Sequence, residues 1–341
     1  MSIERFKFNR DEVGQVEALL DEVMARYDSV EDADFLNELE VWAHELPRRF
    51  RKELYRFKLE EPTSAMIVVS GFPVDDERIG DTPTHWKDRV HPSPTLREET
   101  MLMLSASLLG EPIGWGTQQS GFLVHDIMPI PGKEKEQLGA GSEELLWWHT
   151  EDAFHPYRGD YLGMFCLRNF DQVPTTFASM EGIRLSDEDK RVLFERHFTI
   201  RPDESHLMKN KPNGHQVDPI LSEAYSKIDE MNTEPEKIAV MSGDPTSPYL
   251  RLDPYFMDRI HDEQAQAALD RFVEQVDRRI EDVPMGQGEF CFVDNFKGVH
   301  GRKPFKARYD GKDRWLKRVN VVRDLRKSRD ARKSAADRVI V

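Results

Sequence analysis

The chain has 341 residues, 38% of them hydrophobic and 10% aromatic, so it can bury a sizeable core and disorder is not expected. The formal net charge of −15 and isoelectric point near 5.3 argue against a broad nucleic-acid-binding surface, since phosphate contacts need clustered Lys and Arg. The two cysteines, Cys166 and Cys291, lie in apolar runs and are predicted to be free core thiols. Because the sequence shows neither a signal segment nor an apolar run long enough to span a membrane, we expect a cytoplasmic protein that does not bind membranes.

The N-terminal part is predicted to be helical. Apolar residues recur at helical spacing over 11–60, and one helix in this range is expected to end before Pro47. An apolar run over 65–72 then predicts a buried strand, and residues 74–94, rich in Pro, Asp and Gly, predict a loop. A helix rich in Leu and Met is expected at about 95–109.

The rest of the chain is dominated by short β-prone segments. The predicted strands are 122–127, 145–149, 161–167, 176–180, 249–253, 289–294 and 315–324. Helices are predicted at 186–197 and 262–281, and the polar stretch 201–247 is predicted to be a long loop, which is often functional.

Many short strands with inserted helices favour an α+β fold with a mainly β core. We predict a double-stranded β-helix, a cupin-like jelly roll, with flanking helices and a lid near Gly139 and Gly141. A doubly wound α/β fold is disfavoured, because no glycine-rich phosphate-binding motif follows a strand. The expected domain spans 1–341, with N-terminal helices over 1–60, the jelly-roll core over 65–328 and a tail over 329–341.

His149-Thr150-Glu151 is the most informative motif. On a strand, residues two apart point to the same face, so His149 and Glu151 can reach one ion. The pattern alone is weak, since this composition gives about two such pairs by chance. The other pair, His261 and Glu263, lies at a predicted helix start, where side chains two apart diverge by about 200°. We therefore expect that second pair to lie on the surface.

His300 is the candidate for a third ligand. It lies in Gly298-Val299-His300-Gly301-Arg302, and the glycines are predicted to let the backbone turn sharply near a metal. The alternative is an ordinary loop histidine. Two imidazoles and one carboxylate would form the facial ligand set of a non-haem Fe(II) ion.

Arg314 and Arg318 follow the third candidate ligand. If a strand begins there, both share a face with residue 316 and point into the barrel. Burying two cations is costly unless each meets an anion, and a carboxylate held by the guanidinium fork is the simplest one. The alternative is an exposed basic strand edge.

Together these residues resemble the clavaminate synthase-like branch of the Fe(II)/2-oxoglutarate-dependent oxygenases. More narrowly, the chain is similar to the hydroxylases of free L-amino acids, among them the arginine, asparagine and lysine hydroxylases. The resemblance spans about 65–328. It is carried by Trp148-His149-Thr150-Glu151 with the residues up to Arg158, by Leu167-Arg168-Asn169, and by Val299-His300-Gly301-Arg302 with the segment up to Arg318.

The resemblance implies a role for each residue. For the reactive centre it implies Fe(II) bound by His149, Glu151 and His300, 2-oxoglutarate paired with Arg314 and touched by Thr176, and O2 at the remaining metal position. For the substrate it implies contacts from Arg318 to the carboxylate, from Gln118 and Glu151 to the α-amino group, and from Asp203 and Asp253 to the polar end of the side chain. From the residues alone, Gln118 and Asp203 could equally be surface polar groups, and Asp253 a turn residue before Pro254.

The activity implied by the resemblance is hydroxylation of an unactivated C–H of a free L-amino acid, with decarboxylation of 2-oxoglutarate to succinate and CO2. A basic substrate, L-lysine or L-arginine, is favoured, although Arg251 stands where arginine hydroxylases carry a second acid. The carboxylate of Glu151 argues against halogenation, which needs a small residue there. Desaturation and hydroxylation of another polar amino acid, such as asparagine or citrulline, remain alternatives.

The residues leave two other classes of protein as alternatives: a non-catalytic jelly-roll binding protein, and a hydrolase or epimerase that uses another divalent metal. The expected partner is a small molecule, and formation of a homo-oligomer is left open.

Overall fold

The computed structural model describes residues 3–208 and 219–341. The α-helices in these residues are α1 (Arg10–Met24), α2 (Ala33–Ala43), α3 (Arg48–Glu60), α4 (Asp76–Ile79), α5 (Leu96–Ser107), α6 (Asp187–Leu193), α7 (Pro219–Thr233) and α8 (Glu263–Asp277). The strands are β1 (Glu4–Lys7), β2 (Met66–Ser70), β3 (Glu111–Trp115), β4 (Val124–Ile127), β5 (Leu146–His149), β6 (Tyr161–Arg168), β7 (Thr175–Ser179), β8 (Met241–Asp244), β9 (Ser247–Leu250), β10 (Glu281–Val283), β11 (Phe290–Asp294), β12 (Gly298–Arg302), β13 (Trp315–Val322) and β14 (Val339–Ile340). No helix among them is long and apolar enough to cross a membrane.

Two sheets form the double-stranded β-helix that the sequence predicts. The major sheet has the order β1-β2-β11-β6-β13-β3-β14, with β4 also paired to β13, and the minor sheet has the order β10-β7-β12-β5. Met164 and Leu316 of the major sheet and Phe177 of the minor sheet belong to one buried apolar cluster. Both cysteines are buried and free, as predicted.

The N-terminal helices cover the outer face of the major sheet. Strand residues alternate between faces, so Phe290 and Phe292 pack on the helical side while Cys291 packs between the sheets. Phe50 of α3 meets Phe290 edge to face, with ring centroids 6.1 Å apart. Burying each such side chain stabilises the fold by roughly 1.5–3 kcal/mol.

The minor sheet is covered on its outer face by α6 and α8. Trp148 of β5 and Val299 of β12 pack into the same apolar cluster as Leu269 and Phe272 of α8. Because neighbouring residues on a strand face opposite ways, this packing turns the side chains at 149 and 300 toward the space between the sheets.

Several predicted elements are wrong. The loop predicted over 201–247 contains α7 and β8, while 209–218 lie outside the described residues. In α7, three buried residues recur at helical spacing: Ala224, Tyr225 and Ile228. Because the surrounding segment is polar, this apolar periodicity is too weak to predict a helix from the sequence. The strand predicted over 249–253 ends at Leu250.

Other strands were not predicted at all. β1 and β3 are four and five residues long, and β12 is interrupted by glycines, so local patterns are weak there. The end of the tail is also ordered, since β14 pairs in parallel with β3.

Candidate active site

His149 and His300 lie directly opposite each other on the antiparallel strands β5 and β12. Their ring centroids are 4.6 Å apart. Glu151 follows β5 by two residues and is buried. Its Oε2 lies 3.5 Å from Nε2 of His149 and 3.2 Å from Nε2 of His300. The three predicted donors therefore converge, with one ligand atom of each within 4.8 Å of the others.

The protonation of these groups suits a divalent cation. Nδ1 of His149 donates to the carbonyl of Trp147 at 2.7 Å, so Nε2 is the nitrogen that is directed toward Glu151 and the metal position. Burial favours the neutral ring, but the carboxylates of Glu151 and Asp253 raise the pKa of His149 to about 9. Burial also opposes ionisation of Glu151, yet Arg318 and the two histidines hold its pKa well below 4.5. A bound cation would replace the proton on His149, so the residues present fit Fe(II).

The glycines beside His300 do not form the predicted sharp turn. His300 lies within β12, and Gly298 and Gly301 allow neighbouring groups to come close. A Cβ on Gly301 would lie 2.5 Å from the carbonyl oxygen of Leu146, and one on Gly298 would lie 2.7 Å from the ring of Phe177. The glycines therefore hold β12 tightly against its neighbours, and the ligand is carried by a strand.

The space between the sheets opens into a cavity beside the three donors. Its lining includes the cationic side chains Arg302, Arg314 and Arg318, the acidic side chains Asp203 and Asp253, and the polar or aromatic side chains Gln118, His125, Thr175, Ser205 and Tyr255. The segment 128–145, which joins β4 to β5, also contributes lining residues. We call this segment the lid.

Arg314, immediately before β13, is a buried cation whose guanidinium has one hydrogen bond within residues 3–208 and 219–341. Its Nη2 donates to Oγ1 of Thr175 at 2.9 Å, and its Nε has no hydrogen-bond partner among the described residues. Burial lowers its pKa to about 10. Thr176, the predicted co-substrate contact, does not line the cavity, because successive residues of β7 face opposite ways and Thr175 takes that face.

Arg318 links several of the predicted residues. It forms an ion pair with Oε1 of Glu151, and its Nη2 donates to Oε1 of Gln118 at 3.2 Å and to Nδ1 of His125 at 2.8 Å. Since a guanidinium only donates, the proton of His125 must be on Nε2. Burial and the charge of Arg318 hold the pKa of His125 well below 6.5. Sequence reasoning missed His125, because only the pairing of β4 with β13 places it opposite Arg318.

Asp203 and Asp253 bring negative charge to the cavity. Asp253 is buried, and its Oδ1 accepts from the backbone N–H of Tyr255 at 3.1 Å and of Phe256 at 3.3 Å, so it forms a turn and lines the cavity at once. Burial raises the pKa of Asp253 to about 6; the charge of His149 acts against this rise and that of Asp203 acts with it. The two carboxylates are therefore neighbours that a cation would satisfy.

A second cluster of potential metal ligands, Asp152, Asp203 and His206, adjoins the first. Nε2 of His206 lies 3.1 Å from Oδ1 of Asp152, and its Nδ1 lies 2.7 Å from Oγ1 of Thr117. Oδ2 of Asp152 accepts from the indole of Trp115 at 2.7 Å. Because both nitrogens of His206 and both oxygens of Asp152 have partners, we interpret this cluster as a hydrogen-bonded support for the loop that carries Asp203.

Arg251 does not line the cavity. Its Nε and Nη2 donate to the backbone carbonyls of Ala153 at 2.7 Å and Phe154 at 2.8 Å. The positive charge of Arg251 is therefore held outside the cavity and does not neutralise the acidic side chains that line it. The pair His261 and Glu263 is exposed at the start of α8, as expected for surface residues.

Comparison with known proteins agrees with this geometry. Residues 65–320 match the family described as taurine catabolism dioxygenase TauD, TfdA family. The chain is 44% identical over 333 residues to an enduracididine beta-hydroxylase of Streptomyces hygroscopicus, with 97% of each chain covered. It is 40% identical over 332 residues to an L-ornithine/L-arginine 3-hydroxylase of Catenulispora acidiphila, with 95% of this chain and 96% of the relative covered.

The fold also matches a solved enzyme. The non-heme iron oxygenase OrfP, in complex with Fe, succinate and (3S)-hydroxy-L-Arg, superposes with a TM-score of 0.94 at 45% identity over 99% of both chains. The same oxygenase in complex with Fe and alpha-ketoglutaric acid superposes with a TM-score of 0.88. The chain therefore belongs to the TauD, TfdA family, and it is an Fe(II)- and 2-oxoglutarate-dependent dioxygenase.

Proposed function

We propose that the protein hydroxylates an unactivated C–H of a free basic L-amino acid, with L-arginine as the leading candidate. One observation carries the proposal: a single cavity combines the iron donor set, the buried guanidinium of Arg314 and the neighbouring carboxylates Asp203 and Asp253. The three features suit a metal, a dicarboxylate co-substrate and a cationic side chain, respectively.

The proposed role of each side chain follows from its charge and its position in the cavity. His149, Glu151 and His300 hold the iron, and Arg314 with Thr175 pairs with the distal carboxylate of 2-oxoglutarate. Iron with bound 2-oxoglutarate and O2 supplies the oxidising power, with succinate and CO2 as co-products. Arg318 binds the α-carboxylate of the substrate, and Gln118 and Glu151 face its α-amino group. These contacts fix which carbon is nearest the metal, and position decides which C–H is oxidised.

The acidic pair favours a basic substrate. A neutral side chain would add no counter-charge to the buried carboxylate of Asp253 beyond that of the nearby metal centre, which is unfavourable in a desolvated site. A guanidinium matches a carboxylate through two parallel hydrogen bonds, whereas an ammonium acts as a point charge. The names of two relatives point the same way, since they specify enduracididine and ornithine or arginine. A solved complex of OrfP contains Fe and L-Arg.

The first test is spectroscopic. Fe(II) and 2-oxoglutarate added to the protein without oxygen are expected to give a weak metal-to-ligand charge-transfer band. If a folded protein gives no band, the proposal fails.

The second test identifies the substrate. A panel of the twenty amino acids with ornithine and citrulline is assayed for succinate release, and the products are examined by mass spectrometry for a gain of one oxygen. L-Arginine, ornithine and lysine are expected to stimulate turnover above the neutral amino acids. Preferential turnover of asparagine or citrulline would contradict a basic substrate, and loss of two hydrogens would indicate desaturation.

A further inference from the structure

Arg302 is a buried cation on the same face of β12 as His300, and it is only 3% exposed. Its Nη1 donates to the carbonyls of Ser142 at 3.1 Å and Lys303 at 2.9 Å. Its Nη2 donates to the carbonyl of Glu144 at 3.3 Å. Two of these three carbonyls belong to the C-terminal end of the lid, so Arg302 holds the lid to the strand that carries an iron ligand.

The lid itself is a compact loop over the cavity. The N–H groups of Ser142 and Glu143 donate to the carbonyl of Glu134 at 3.0 and 2.9 Å, which closes the loop on itself. Its residues Ile130, Gln137 and Leu138 line the cavity. A change in how its C-terminal end is anchored would therefore alter access to the site.

Arg302 and Arg314 are close neighbours. Arg302 pairs across the strands with Thr175, and Thr175 accepts the hydrogen bond from Arg314. In the described part of the chain, the Nε of each arginine is buried without a hydrogen-bond partner, and neither guanidinium has a carboxylate within ion-pair distance. Two buried like charges without an anion are unfavourable, so this end of the cavity is built for an anion.

We propose that Arg302 is a positioning residue that couples closure of the lid to the distal carboxylate of 2-oxoglutarate. This inference rests on the proposed function, in which Arg314 pairs with that carboxylate. The anion neutralises both guanidinium groups and holds Arg302 in the position where it bridges Ser142 and Glu144. Since coupling is reciprocal, a closed lid must in turn raise the affinity for the co-substrate by the same factor.

The experiment follows the lid directly. Lys135 is exposed within the lid, so trypsin can report its opening. The Fe(II) enzyme is digested without oxygen, alone, with 2-oxoglutarate and with pyruvate, an oxo acid without the distal carboxylate. We expect 2-oxoglutarate to slow cleavage at Lys135 at least about fivefold, as typical coupling factors require, and pyruvate to leave it unchanged.

The variants separate Arg302 from its surroundings. In Arg302→Gln the protection is expected to disappear and the Kd for 2-oxoglutarate to rise by a similar factor. Arg302→Lys keeps the charge, but its single nitrogen cannot occupy both positions from which Nη1 and Nη2 donate, so it should lose protection as well. Lys303→Gln removes an exposed cation paired with Asp282 from the adjacent position, and it should behave as the wild type.

Each outcome decides the inference. Equal protection by 2-oxoglutarate in the wild type and in the Arg302 variants would overturn it, and so would equal protection of the wild type by pyruvate. If Arg302→Gln does not fold, as judged by circular dichroism, Arg302→Lys carries the test alone. A wild type without the charge-transfer band would instead refute the proposed function, so the two failures are distinguishable.

Discussion

At the scale of single residues, the cavity is defined by charges that lack a full set of partners. Within the described residues, the guanidinium of Arg314 has one hydrogen bond, to Thr175, and the carboxylate of Asp253 accepts from backbone N–H groups while it interacts with both His149 and the like charge of Asp203. A buried charge that lacks an opposite charge is costly, so a ligand of opposite charge is favoured there. These residues are therefore where substitutions should separate binding of the co-substrate from binding of the substrate.

Replacing Arg314 is expected to weaken 2-oxoglutarate binding without releasing iron. Arg314→Met removes a charged hydrogen-bond donor worth roughly 1.5–3 kcal/mol, so the Kd should rise about tenfold to a hundredfold. The measurement is titration of the charge-transfer band under anaerobic conditions. Arg308→Met is the control, since Arg308 is exposed and paired with Asp171 and Asp310. An unchanged Kd in Arg314→Met would refute the assignment.

Replacing Asp253 by Asn tests the acidic pair. The amide oxygen can still accept from the N–H groups of Tyr255 and Phe256, so the turn should survive. Loss of the charge is expected to raise the KM for L-arginine at least about tenfold, as for a charged hydrogen bond, with the Kd for 2-oxoglutarate unchanged. Steady-state succinate release gives the KM. An unaltered KM, beside an equally unaltered Asp282→Asn control at an exposed site, would place the substrate elsewhere.

At the scale of elements, the site depends on the alternation of two paired strands. Trp148 and Val299 pack outward under α8, and His149 and His300 therefore face inward opposite each other. The close approach of β5 and β12 is possible because residue 301 has no side chain. The packing of Trp148 and Val299 under α8 therefore also fixes the direction in which the two histidine ligands point.

Gly301→Ala should disturb both stability and metal binding. Its Cβ would lie 2.5 Å from the carbonyl oxygen of Leu146, so β12 must move away from β5 and take His300 with it. Overpacking of this kind typically costs about 1–3 kcal/mol. Thermal unfolding and anaerobic Fe(II) titration are the measurements.

Gly286→Ala is the matched control for this substitution. A Cβ there meets its nearest atom, of Glu289, at 3.6 Å, an ordinary contact. Iron affinity in Gly301→Ala equal to that of the control would show that His300 does not depend on the strand spacing.

At the scale of the whole molecule, a buried ion cluster joins the outer helices to the major sheet. Lys317 of β13 lies 2.8 Å from Glu99 of α5 and also contacts Asp126 of β4, which pairs with Arg89 at 2.8 Å. Burial opposes ionisation, but Lys317 and Arg89 lower the pKa of Asp126 to about 2 and also lower that of Glu99. Lys317 is on the face of β13 opposite to Arg318, and Asp126 of the cluster also lines the edge of the cavity.

The cluster should make the stability of the fold depend on pH. Both carboxyl groups have a lower pKa in the folded state than the ordinary value near 4, so their contribution is present above about pH 4 and is lost as the pH falls toward about 2. Lys317→Met leaves the buried carboxylates short of a partner and should cost about 3–5 kcal/mol at neutral pH. The difference in free energy of unfolding between Lys317→Met and the wild type should become smaller as the pH falls, because protonated carboxyl groups are less costly to bury.

Denaturant unfolding at neutral pH and at about pH 4 measures this effect. Lys303→Met, at an exposed pair with Asp282, should change the free energy of unfolding by no more than about 1 kcal/mol. If Lys317→Met lowers the free energy of unfolding by the same amount at both pH values, packing and not charge stabilises the cluster.

The sequence by itself determined much of this protein. On any strand, the two-residue spacing of His149 and Glu151 places both side chains on one face. The periodic apolar residues of α1, α5 and α8 indicate helices from the local sequence of each segment alone. The alternation of short strands indicated a jelly roll. Local periodicity was sufficient in each case, because the property belongs to one segment.

Only the tertiary structure decided what depends on register between distant segments. It placed His300 on a strand opposite His149, chose Thr175 and not Thr176 to contact Arg314, and brought His125 and Arg302 to the cavity. A shift of one residue in strand pairing reverses every side chain, and the pairing is set by contacts far apart in the chain. Short or glycine-rich strands such as β12 carry too little local pattern to reveal that choice.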